Sequence, residues 1–189
     1  MEIINNHKFY KKAYKKHGID AKGVHWYNSR TQFKRFEVLI NAIKKELAES
    51  SLLDIGCGFA HLLDYLKERK IYPKTYLGVD KEEFFIELCK MRYESYSFSS
   101  CDILKDEIPQ YDFLVCSGAL NLFDRVDFLK AIEKCYKASN KGFVFNFLVQ
   151  DSIHQLFKDE VIDYCNTLCV DLVVFDNYLE NDCTIHMTK

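Results

Sequence analysis

The sequence predicts a doubly wound α/β fold. Its sheet should be seven-stranded and mostly parallel, with an antiparallel C-terminal hairpin and N-terminal helices placed ahead of it. Three observations carry that expectation. From Ser51 onward, short apolar runs alternate with helical patterns. The first run ends in Asp54-Ile-Gly-Cys-Gly58, an acid and two glycines that open a helix. The last two runs are joined by only Asn177–Asp182, too short for a crossover helix, so they must pair antiparallel.

Taken in order, Lys8, Lys11, Lys12, Lys15 and Lys16 share one helical face, beside Tyr10, Ala13, Tyr14 and His17. A loop, Gly18–Tyr27, holds the only tryptophan. Ser29-Arg-Thr-Gln32 reads as a capping box, and Phe33, Phe36, Ile40, Ile43 and Leu47 continue at helical spacing, so residues 30–48 should form a helix. Strands are expected at 51–55, 76–79, 96–99, 111–117, 142–149, 171–176 and 183–188. Helices are expected at 59–68, 82–93, 125–138 and 153–169. The repeated strand–helix unit makes this a Rossmann-like arrangement. The expected organisation is a helical lid or extension at 1–48 packed on a ligand-binding domain at 49–189.

With 189 residues, 48% hydrophobic and 29% charged, the chain suits one globular domain with an appendage. The N-terminus lacks the apolar core of a signal peptide and no 18-residue apolar run exists, so a cytoplasmic protein is expected. Eight cysteines form no CxxC, and several sit inside apolar runs such as Asp112-Phe-Leu-Val-Cys116. They read as reduced core residues, and no metal is expected. The net charge of −2 conceals an asymmetry. Residues 1–45 carry eleven Lys or Arg against three acids, a local +8, and the remainder carries −10.

The glycine turn sits at a strand's carboxyl end, where such sheets bind ligands and helix amides point outward. A dinucleotide fingerprint would place a third glycine at position 61, which is His61. Asp80 ends the next strand 22 residues past Gly58, where an acid can accept hydrogen bonds from ribose hydroxyls or cap a helix. Asp102, after the third strand, could accept from an exocyclic adenine amine with Ile103 beside the ring, or cap a turn. The fourth strand ends Cys116-Ser-Gly-Ala-Leu-Asn121, whose small residues permit close approach to a ligand.

From about Ser51 to Lys189 the chain resembles the class I S-adenosylmethionine-dependent methyltransferases. The resemblance rests on "LLDIGCGFA", the acid of "YLGVD", the acid of "SCDIL", the strand "YDFLVCSGALN" and the antiparallel final pair. The segments "KGVHWYNSRTQFKRFEVL", "NKGFVFNFL" and "DNYLENDCTIHMTK" are similar to a group of small, largely uncharacterised bacterial members. The resemblance implies S-adenosylmethionine as cofactor, with S-adenosylhomocysteine as product. Gly56, Cys57 and Gly58 would pass its methionine end, Asp54 would order the turn, and Asp80 with Lys81 would take the ribose. Asp102 and Ile103 would take the adenine, and Ser117 or Gly118 the methionyl part. No Asn-Pro-Pro-Tyr motif follows the fourth strand, which argues against methylation of base amines or glutamine amides.

The acceptor surface is expected mainly from residues 1–35, with Tyr14, His25, Trp26, Tyr27, Arg30 and Arg35 as contacts, joined by Asn121. The implied function is methyl transfer to a small acceptor, and the basic N-terminal face suits an anionic one. The alternatives are a non-catalytic cofactor-binding module, an RNA methyltransferase, and an NAD-dependent oxidoreductase. No membrane partner is expected, and the protein should be a monomer or homodimer. His25, His61, His154 and His186 are scattered, and no general base is evident.

Overall fold

A computed structural model describes residues 29–150 and 152–189. The first described element is α1, Ser29–Leu47. Alternation then proceeds through β1 (Ser51–Ile55), α2 (His61–Glu68), β2 (Thr75–Asp80), α3 (Glu83–Arg92) and β3 (Ser97–Ser100). It continues with β4 (Tyr111–Ser117), a 3-10 turn (Ala119–Leu122), α4 (Arg125–Ala138), β5 (Ser139–Leu148), α5 (Lys158–Asn166), β6 (Asp171–Phe175) and β7 (Asp182–Thr188).

The seven strands order as β3-β2-β1-β4-β5-β7-β6. Strands β1 to β5 run parallel, whereas β7 is antiparallel to both β5 and β6. The final pair is therefore a hairpin, and its second strand inserts between β5 and its own partner. Burial follows that order. Residues of β7 are buried almost throughout, while β6 at the sheet edge has only exposed and half-buried positions although its sequence, Asp-Leu-Val-Val-Phe, is the more apolar.

Each face of the sheet has its own core. On one, Phe36, Leu39, Ile40, Ile43 and Leu47 of α1 pack with Leu62, Leu63 and Leu66 of α2 against Leu52, Phe113, Val115 and Val144. On the other, Phe128, Ile132, Val161 and Cys165 of α4 and α5 cover Leu114, Phe143, Phe145, Phe147 and Ile185. All eight cysteines are free, and seven of them are buried.

The elements expected from residue 30 onward are present with small shifts at their ends, and one larger difference has a local cause. Helix α5 begins at Lys158 rather than 153 because Gln155 has a positive φ of 52° and breaks a right-handed turn. The Gln32 amide, expected in a capping box, reaches His61 Nδ1 at 3.3 Å. Residues 1–28, on which the expected lysine-faced helix, Tyr14, His25, Trp26 and Tyr27 fall, lie outside the described residues.

Candidate active site

The carboxyl ends of β1, β2 and β4 open onto a cleft of about 290 Å³. Its floor is the turn after β1. The chain leaves Ile55 through Gly56 at φ 68°, Gly58 at φ 52° and Ala60 at φ 60°, and Gly118 after β4 adds a fourth left-handed residue at 76°. Alternating left-handed positions curl the backbone away from the strand and into α2. A Cβ on Gly56 would lie 2.3 Å from the Cβ of Ala119, so only glycine lets the two loops meet.

Two carboxylates, Asp54 buried and Asp80 half-buried, hold this floor. Gly58 N–H donates to Asp80 Oδ2 at 3.0 Å, and Glu82 N–H donates to Asp80 Oδ1 at 2.9 Å. Asp80 thus ties the glycine turn to the start of α3. Burial pushes its carboxyl up to about 6 even though those two amides favour the charged form. Asp54, at the end of β1, accepts from Tyr76 Oη at 2.7 Å. Burial raises it to about 7, against the Tyr76 hydrogen bond and with a smaller push from the Asp80 charge.

Asp102 sits at the far wall. It accepts from Leu104 N–H at 3.1 Å and lies 3.2 Å from Lys105 Nζ. Burial opposes its ionisation, but Lys105, the Leu104 amide and the Lys81 charge together hold it below the usual carboxylate range. Asn121 in the 3-10 turn accepts from Leu148 N–H at 2.9 Å, which fastens the β4 loop to the end of β5. The Ser117 hydroxyl, buried at the cleft, has no hydrogen-bond partner among the described residues.

Asp54, Gly56, Cys57, Gly58, Asp80, Lys81, Asp102, Ile103, Ser117, Gly118 and Asn121 all line the cleft. Arg30 and Arg35 do not. Arg30 is exposed on α1. Arg35 is buried and forms a two-pronged ion pair with Asp182, its Nη2 donating to Oδ2 at 2.7 Å, while Asn146 Nδ2 donates to Oδ1 at 3.0 Å. This pair joins α1 to the start of β7. Sequence reading also passed over Gln32, Phe36, His61, Phe123 and Leu148, which line the cleft. Gln32 was assigned to a cap, Phe36 to the core stripe. Their position at the mouth depends on where α1 crosses the sheet, which periodicity does not encode.

Residues 52–142 match the methyltransferase-domain family. Across nearly the whole chain the fold matches magnesium protoporphyrin IX methyltransferase of Synechocystis PCC 6803, solved with S-adenosylmethionine bound. That match has a TM-score of 0.69 at 12% identity, covering 98% of this chain and 92% of that one. Residues 52–142 thus carry a methyltransferase domain, in a chain with the fold of the S-adenosylmethionine-dependent methyltransferases.

Another member of this fold, an S-adenosylmethionine-dependent methyltransferase of Clostridium acetobutylicum, aligns at TM-score 0.67 and 13% identity over 97% of this chain and 99% of that one. A Mycobacterium tuberculosis protein assigned provisionally as a methyltransferase is 27% identical over 120 residues, 59% of this chain and 70% of that protein. The tRNA N(3)-methylcytidine methyltransferase of Schizosaccharomyces pombe is 27% identical over 139 residues, and there the match spans 72% of this chain but only 40% of the relative. The glycine turn and the acid at the end of β2 meet here in one cleft. No group of His, Cys, Asp or Glu among the described residues is arranged to hold a metal. No helix among them is long and apolar enough to cross a membrane.

Proposed function

We propose that the cleft binds S-adenosylmethionine and that the protein transfers its methyl group to a small acceptor. The observation that carries this reading is Asp80, whose half-buried carboxylate is fixed by the Gly58 and Glu82 amides at the mouth of the glycine turn. Each carboxylate oxygen keeps a lone pair for a further donor, and a vicinal diol supplies two. Such donors stabilise an anion that burial otherwise disfavours.

The other residues fit the same ligand. Asp102 and Ile103 present an acceptor and an apolar flank for adenine. Gly56 and Gly58 bare the backbone so that the methionyl end can approach, and the unpartnered Ser117 hydroxyl faces the same end. When bound, the cofactor supplies a methyl already activated on a sulfonium, so this chain's task is alignment rather than strong acid–base chemistry. Orientation of this kind lowers barriers by roughly 7–11 kcal/mol in favourable cases. Of the described histidines, only His61 lines the cleft. His154 stacks on Phe128, its ring 4.2 Å from the phenyl centroid, and His186 packs beside Phe113.

In this reading residues 1–48 act as the cover of the acceptor side, with the core domain at 49–189. Helix α1 anchors that cover through its apolar stripe and the Arg35–Asp182 pair. Calorimetry against S-adenosylhomocysteine and NAD tests the cofactor assignment. S-adenosylhomocysteine should bind, and Asp80→Asn should weaken it at least tenfold. Binding of NAD alone would overturn the proposal. Labelled S-adenosylmethionine offered to a metabolite pool and, separately, to tRNA then identifies the acceptor class. Transfer to tRNA alone would reject the small-acceptor reading.

A further inference from the structure

At about 290 Å³ the cleft lies at the lower end of the range for one drug-sized ligand, about 300–1,000 Å³. The cofactor therefore fills it, and the methyl acceptor has to lie largely outside. On the β4–β5 side the way out is apolar. Leu122, Phe123 and Leu148 line the cleft there, and Leu122 is also 38% exposed at its rim. Three more apolar side chains continue outward. Val126 in the first turn of α4 is 73% exposed, Ile153 ahead of α5 is 43% exposed, and Phe157 at the N-cap of α5 is 74% exposed. Polar contacts hold them side by side. Arg125 Nη2 donates to Glu160 Oε1 at 2.5 Å and Phe157 N–H donates to Glu160 Oε2 at 2.9 Å, which fixes the start of α5 against the start of α4. His154, next to Ile153, stacks on Phe128 of α4. Leu120, Phe128 and Leu156 already fill the core beneath. Four of the eight large apolar side chains exposed among the described residues thus gather on one rim, and a grouped patch marks a binding surface where scattered ones do not.

We infer that this ledge receives the apolar body of the methyl acceptor, and that the acceptor is a small amphiphile. Its polar head stands at the cleft, and its chain or ring system lies across the starts of α4 and α5. The inference rests on the methyl-transfer reading above. Continuity decides the occupant: the ledge runs into the cleft wall through Leu122 and Phe123, so a molecule seated on it reaches the loop from Ser117 to Asn121. Asn121 stands where ledge and cleft meet. Its Oδ1 is taken by Leu148 N–H, which orients the amide and leaves Nδ2 as a donor for a head bearing a lone pair. A methyl acceptor must carry such a lone pair. The apolar body contributes affinity by leaving water, and the head fixes which end enters the cleft.

Two variants remove the ledge and leave the cleft lining intact. Phe157→Ser places a good capping residue at the N-cap of α5, and Val126→Asp places an acid in the first turn of α4, so both helices keep their starts. Calorimetry on the full chain saturated with S-adenosylhomocysteine should show 1-hexanol, 1-octanol and 1-decanol binding progressively tighter, by roughly fourfold per added methylene. Each variant should flatten that series while S-adenosylhomocysteine binds as before. Labelled S-adenosylmethionine is then offered separately to the solvent-soluble and the water-soluble halves of a cell extract. Label should enter a product of the solvent-soluble half, and each variant should lose most of it. An alkanol series with no length dependence in the wild type, or one equally steep in the variants, overturns the ledge. Label confined to water-soluble metabolites, protein or RNA, or found nowhere, overturns the amphiphilic acceptor. A wild type that binds no S-adenosylhomocysteine fails the cofactor reading instead, and the alkanol series on the ligand-free chain still decides the ledge.

Discussion

Asp54 should make the ligand-free protein less stable than it could be, and Asp54→Asn tests this. Its carboxyl stands at about 7, raised from 3.8 chiefly by complete burial. A rise of that size corresponds to about 4 kcal/mol between charged and neutral forms. The folded protein therefore holds this proton more tightly than the unfolded chain does between pH 3.8 and about 7. Stability from the group is present at low pH and is lost as pH rises through about 7. At pH 8 the substitution removes the buried charge but weakens the Tyr76 hydrogen bond, which offsets about 1–2 kcal/mol. A net gain of about 2–3 kcal/mol remains.

The assay is urea unfolding of both proteins from pH 5.5 to 8.5. Asp80, raised to about 6, contributes in the same direction but finishes at lower pH. His154 and His186 are lowered by burial, so they act in the opposite direction and only below about 6.5. Near pH 7 the difference between the proteins isolates Asp54, and it should grow with pH before levelling off. Parallel curves across the whole range would refute the reasoning.

Two further outcomes follow from the geometry. Gly56→Ala forces a side chain into a left-handed position and against Ala119, so it should destabilise by about 2–4 kcal/mol in urea unfolding and abolish S-adenosylhomocysteine binding. Arg35→Met strands the buried Asp182 carboxylate and should lower stability by about 3–5 kcal/mol, whereas adding Asp182→Asn should recover a large part. A loss of turnover at unchanged stability would return Arg35 to the acceptor site.

Much of the fold was legible because each element carries its own period. The α1 stripe of Phe36, Ile40, Ile43 and Leu47 is buried as its spacing predicts. The glycine turn was legible for a similar reason: glycines one residue apart after an apolar strand describe a local backbone path, and Gly56 and Gly58 take positive φ. Even the antiparallel closing pair followed from the length of its connection.

Tertiary structure alone decided what depends on two distant segments meeting. Nothing local distinguishes Arg35 from an arginine waiting for a substrate; Asp182, 147 residues away, neutralises it. Nothing in Ser29-Arg-Thr-Gln32 says that the glutamine will turn from its own helix to His61. The place of β7 between β5 and β6 is likewise set by which strands meet across the sheet. Backbone conformation is written residue by residue, so sequence determined the elements and the turn "LLDIGCGFAHLL". Pairing of charges and donors is set by where packed faces bring them, so only the folded chain could show which side chains border the cleft.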